Sequence, residues 1–71
     1  MARKLTRQQT ERMTFLTDRV EAVRGDMDAL WFMIDSKHPA DPQLYILVNL
    51  LDTVERTLRS ILTHHGSPHH A

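Results

Sequence analysis

The 71-residue chain has no cysteine, only two glycines and three prolines, few aromatic side chains and no net charge. Each shortage removes a class of protein. Without thiols there can be no disulfide framework, thiolate zinc site or cysteine nucleophile, which fits a reducing cytoplasm. Nine Lys+Arg balanced by nine Asp+Glu argue against a protein whose main task is to coat nucleic acid, since that affinity is built from many cationic contacts to phosphate. No apolar run approaches the roughly 18 residues that would span a bilayer, and the opening MARKLTRQQTERM lacks the apolar stretch of a secretory signal. The expectation is a single cytoplasmic domain with no membrane contact. One core in so short a chain supplies only about 3–5 kcal/mol, so self-association is expected to complete it.

Catalytic signatures are equally scarce. There is no Gly-rich phosphate loop, nucleophile elbow or paired Cys/His motif. Asp26, Asp28 and Asp35 read as a solvated acidic face, so the chain is expected to be a non-enzyme with no cofactor. His64-His65-Gly66-Ser67-Pro68-His69-His70 is the one metal-like string. It passes a helix stop and a proline, so it lacks the rigid ligand frame of a structural site.

What the sequence does contain is periodicity. Met13, Leu16, Val20, Val23, Met27, Leu30 and Ile34 alternate at three and four residues, the pattern of a heptad seam on a helix. Thr6 and Gln9 form the Thr-x-x-Gln capping box that starts it, giving a first helix over about 7–36. Gly25 lies inside this helix, at a bend or beneath another backbone. Lys37 to Asp41 form a turn, because Pro39 and Pro42 each disfavour helical geometry in the residue before them. Asp41 is expected to cap a second helix over about 42–65, with Gly66 as its stop and 66–71 as a tail. Leu44, Leu47, Leu51, Val54, Leu58 and Ile61 repeat the alternation. Asp52 with Arg56 and Glu55 with Arg59 are expected as i,i+4 pairs on its outer face. So short a turn makes the helices antiparallel, with the two seams meeting and residue numbers adding to about 78–81. That register places Val23 near Leu58 and Val20 near Ile61, deep between the helices. Residues 1–5 and 67–71 fall outside the pairing and are expected to be mobile.

A second apolar set is left over. Trp31, Val48 and Leu62 flank the seam on one side, Met33 and Leu50 on the other, and Phe32 and Ile46 point well away from it. A two-helix hairpin cannot cover all of these, so the fold class expected is all-α: an antiparallel hairpin that dimerises into a four-helix bundle through Phe15, Met33, Val48, Leu50 and Leu62. Trp31, Phe32 and Tyr45 converge at the turn, with Asp28 and Asp35 beside them. An apolar anchor with an acidic rim resembles the centre and edge of a protein interface, so these five residues are the candidate partner-binding set.

Charge is unevenly distributed. Arg3, Lys4, Arg7 and Arg12 cluster at the start, whereas residues 18–41 carry Asp18, Glu21, Asp26, Asp28, Asp35 and Asp41. With its two heptad helices and short turn, the chain resembles the small plasmid RNA-binding hairpins of the Rop type, which implies an RNA-binding four-helix-bundle dimer using that basic start. In the layout of residues 6–66 and its spare apolar residues it is also similar to small phage anti-activators and host-takeover proteins. That resemblance implies a homodimeric inhibitor or adaptor that occludes a host protein, with the acidic middle of the first helix suited to the basic surface of a transcription regulator. Of the two, the inhibitor is the leading expectation and RNA binding the alternative. A structural subunit of a larger assembly is the third reading.

Overall fold

The computed structural model describes residues 4–66, which form two α-helices, α1 (Arg7–Met33) and α2 (Ala40–His65), packed as an antiparallel hairpin. Its dimensions are 52 × 23 × 13 Å, a single layer one helix thick. The capping box is present in both directions: the Thr6 hydroxyl accepts from the Gln9 amide at 3.1 Å, and the Gln9 side-chain oxygen accepts from the Thr6 amide at 2.9 Å. Two of the orphan donors at the α1 start are thereby satisfied.

α1 stops at Met33, three residues before the expected end at Ser36. Turn chemistry wins over continuation of the helix. Ile34 is extended, the Asp35 carboxylate accepts from the Lys37 amide at 2.9 Å, and the Asp35 carbonyl accepts from His38 at 2.8 Å. α2 begins at Ala40 rather than Pro42, and Pro39 occupies the cap without a side-chain hydrogen bond. Asp41 therefore lies inside the first turn and is not the cap. The first amides of α2 are served by His38, whose Nδ1 accepts from Ala40 at 3.0 Å and whose carbonyl accepts from Asp41 at 3.0 Å. Pro42 sits in the first turn, where a missing donor costs nothing.

Gly66 ends α2 as expected, but for a different reason. Its φ of −72° is ordinary for any residue. What requires glycine is proximity, since a Cβ there would lie 2.5 Å from the Leu62 carbonyl oxygen that accepts the Gly66 amide. Leu5 is not loose either: its amide donates to the His65 carbonyl at 2.8 Å and ties the start of the chain to the end of α2.

The packing line departs from the seam-to-seam expectation. Among the described residues no hydrophobic side chain is buried; the buried residues are Thr10, Thr17 and Glu55. Thr10, Thr17, Arg24 and Trp31 recur every seven residues on α1, as do Asp41, Val48, Glu55 and Leu62 on α2, one position past the outer stripe of each predicted seam. These lines face one another. Arg24 meets Glu55, whose numbers add to 79, so the expected register holds while both helices are rotated about their axes. As a result Leu16, Val23, Leu30, Leu47 and Val54 remain 38–49% exposed, and Val23 is not deep beside Leu58. The Glu55–Arg59 pair forms, but on the inner side of α2. Asp52 and Arg56 pair on the outside as expected.

Polar residues can occupy this inner line because they are satisfied locally. The hydroxyls of Thr10, Thr14 and Thr17 donate to the carbonyls four residues earlier at 2.7–2.9 Å. No buried side-chain nitrogen or oxygen among the described residues lacks a partner. Gly25, by contrast, has nothing within 4 Å of where a Cβ would stand, so no neighbouring backbone calls for it.

Two substitutions with opposite signs test this account. Thr6→Ala should destabilise the hairpin by about 1 kcal/mol through loss of the cap. Gly25→Ala should stabilise it by roughly 0.5–1 kcal/mol through helix propensity alone. Urea denaturation followed by circular dichroism measures both.

Candidate interaction surface

The hairpin has an inner polar seam, an open apolar face and an aromatic end at the turn. The seam is centred on Glu55, which exposes 7% of its surface. Its Oε1 accepts from Arg24 Nε at 2.7 Å, and its Oε2 accepts from Arg59 Nε at 3.2 Å and Arg59 Nη2 at 3.1 Å. Arg59 also reaches back to Glu21 at 2.7 Å. Two arginines and two carboxylates thus bridge the helices at mid-length. Hydrogen bonding from Arg24 holds the Glu55 carboxyl below its ordinary value of 4.5, against an opposing push from desolvation. The same contacts raise Arg24 and Arg59, so both guanidinium groups stay charged.

At the turn, the Trp31 indole N–H donates to Asp41 Oδ1 at 2.7 Å, and its ring packs against Tyr45 with centroids 5.3 Å apart at 53°. Trp31 is half-buried and Tyr45 is 53% exposed, so the two helices are clamped by this pair while one side of Tyr45 faces water. Phe32 lies next to the clamp but is 91% exposed, and Met33 is 79% exposed. Asp28 is exposed on α1 one turn before Phe32. Asp35 is exposed too, but it belongs to the turn, with its carboxylate engaged by the Lys37 amide. The five candidate partner-binding residues therefore gather at one end with divided tasks: Trp31 and Tyr45 hold that end together, while Phe32 and Asp28 stand out from it.

The candidate dimer residues divide as well. Met33 and Leu50, 79% and 56% exposed, lie on the flank that continues the exposed stripes of Leu16, Val23, Leu30, Leu47 and Val54. Val48 and Leu62 are half-buried and share the inner line of Glu55, so the structure assigns them to the hairpin itself. Phe15 is 60% exposed with the Arg19 guanidinium 5.5 Å above its ring. It lines an open concavity at the α1 start together with Leu5, Met13, Leu16, Arg12 and Arg19.

The polar seam was the part not anticipated. Its signal is present in the sequence, as Arg24 and Glu55 share a heptad position on the two helices and satisfy the expected register. Arg7 and Arg12 are exposed at the α1 start, and Arg3 lies outside the described residues. So do Ser67, Pro68, His69 and His70 of the histidine string. Among the described residues no three His, Cys, Asp or Glu side chains converge as a metal site, and no helix is long and apolar enough to cross a membrane. Compared with protein-family models, curated proteins and solved structures, the chain shows no significant match.

The Glu55 network has a defined pH signature. A carboxyl whose pKa is depressed on folding contributes stability that is present above its unfolded value and lost as pH falls through its folded value. The hairpin should therefore lose thermal stability progressively below about pH 4.5. Glu55→Gln should melt lower at pH 7 and show a shallower decline between pH 5 and pH 3. Thermal scans by circular dichroism across that range check the sign.

Proposed function

We propose that the chain is a homodimeric protein-binding inhibitor or adaptor that acts by covering a surface of its target, a transcription regulator or another host protein. The observation that carries this reading is the turn end, where Phe32 is 91% exposed on a helix terminus clamped by the Trp31–Asp41 hydrogen bond. An aromatic side chain already standing out in water from a helix can bury a large area against a partner with only two rotatable bonds to fix, which is why aromatic anchors dominate interface energetics. Asp28 and Asp35 place negative charge beside it, which favours a basic target surface and speeds encounter with one. Among the described residues the one cluster of charged side chains, Glu21, Arg24, Glu55 and Arg59, is engaged in linking the helices.

The test separates fold from contact. Phe32→Ala combined with Asp28→Lys and Asp35→Lys should keep the helical content, because Phe32 and Asp28 are exposed, with the melting temperature lowered only modestly by loss of the Asp35 bond to the Lys37 amide. The same variant should lose capture of its stoichiometric partner by at least tenfold. RNA binding predicts the reverse: loss of function on changing Arg3, Lys4, Arg7 and Arg12 to Ala, co-purifying nucleic acid and an affinity that falls steeply with salt. Retention of partner capture by the triple variant would remove the basis of the inhibitor mechanism.

A further inference from the structure

The open face of the hairpin carries more information than its apolarity. Rotation of both helices toward their polar line leaves Leu16, Val23 and Leu30 on α1 and Leu47, Leu50 and Val54 on α2 each at least 38% exposed. The Glu21–Arg59 ion pair lies on the opposite side of the seam, so both stripes fall on one common side of the layer. With Val20, Met27, Leu51 and Leu58 no more than half-buried and no hydrophobic residue fully buried among the described positions, the hairpin leaves much of its core-forming apolar surface on this face, and a stable fold calls for something to cover it.

The flank of the stripe indicates what does. Arg19 and Asp26 occupy the same heptad position on the outer edge of α1, at nearly equal distances on either side of Val23. Leu16 and Leu30 are each seven residues from Val23. The edge is thus self-complementary: apolar at its centre, with equal apolar arms and opposite charges at matching offsets. Among the described residues neither Arg19 nor Asp26 forms an ion pair within the hairpin, and Arg19 makes only its contact over Phe15.

We infer that this face is covered by a second copy of the chain, related by a two-fold axis passing beside Val23, with α1 antiparallel to α1 of the copy and Arg19 of each chain facing Asp26 of the other. In this arrangement each ion pair forms twice, as an isologous interface requires. Leu16 of one chain meets Leu30 of the other, and Val23 meets its own equivalent. A parallel arrangement would set Arg19 against Arg19 and Asp26 against Asp26, which electrostatics disfavours. Leu50 and Thr57 hold the corresponding edge of α2 and add no charge to oppose the docking. The result is a four-helix bundle with its apolar core between the two hairpins and a polar seam inside each. This inference deepens the dimeric part of the proposed function and rests on it, whereas partner capture at Phe32 lies off this face.

The chain has no cysteine, so single cysteines report proximity cleanly. Val23→Cys should oxidise to a covalent dimer that keeps its helical content, while Phe32→Cys should not. In sedimentation equilibrium, Arg19→Asp and Asp26→Arg should each weaken the dimer by about tenfold or more. The combined exchange of both charges should restore it to within about threefold. A monomer at 100 μM would overturn the inference together with the homodimeric part of the function, even if partner capture persisted. A dimer in which Val23→Cys fails to cross-link, or in which the charge exchange does not restore association, would overturn the proposed face and register alone. Loss of capture on changing Phe32, with cross-linking intact, would support both readings as separate surfaces.

Discussion

The hydrogen-bonded ion pair of Arg24 and Glu55 is the constraint on which the rest of this hairpin depends. It joins the two helices at mid-length through a 2.7 Å contact, and both residues lie on the line that faces the other helix. Drawing these charged groups inward turns both helices so that threonines fill the inner line toward the α1 start and Trp31 fills it toward the turn. Glu55 exposes little surface, yet the layer is only 13 Å thick, so water remains close on either side. That softens the desolvation cost that makes deeply buried pairs a poor source of stability. A bridge of this kind supplies register and orientation more than free energy.

Orientation has a direct consequence for surface chemistry. Had the apolar seams met, the hairpin would have hidden its leucines and valines and shown a polar exterior. Instead Thr10, Thr17 and Glu55 are the buried residues, one apolar stripe of each helix is half-buried beside them, and the other stripe faces outward along one side. Leu16, Val23, Leu30, Leu47 and Val54, which would have formed part of that interior, stay 38–49% exposed. The turn end differs in kind, because its exposure is local: a single phenylalanine projects beside a clamp made by Trp31, Asp41 and Tyr45. Two distinct surfaces therefore result from one packing decision and one local cluster.

Most of the architecture was legible from residues alone. The heptads predicted two helices, Thr6 and Gln9 the first start, Gly66 the second stop, and the short turn an antiparallel register that Arg24 and Glu55 satisfy. Boundaries at the turn were less legible, because Asp35 and His38 use side-chain and carbonyl groups to end one helix and begin the next, and such local hydrogen bonds compete with helix on nearly equal terms. For the candidate site, the convergence of Trp31, Phe32 and Tyr45 at the turn end and the outward turn of Phe32 could be read, but the Trp31–Asp41 hydrogen bond that clamps this end could not. Phe32 and Trp31 are adjacent in sequence, and helix geometry alone turns one outward and the other toward Asp41.

What the sequence determined by itself was therefore the inventory and the register: two amphipathic helices, their polarity relative to one another, and a surplus of apolar side chains beyond what one hairpin can cover. What only the tertiary structure decided was rotation about each helix axis. Hydrophobic periodicity defines a stripe, but a stripe at the edge of a contact and a stripe at its centre have the same spacing. The choice between them depends on whether a charged residue one position away finds a partner across the interface. Glu55 finds Arg24 and Arg59 together, the threonines satisfy their own hydroxyls, and the polar line becomes the inside.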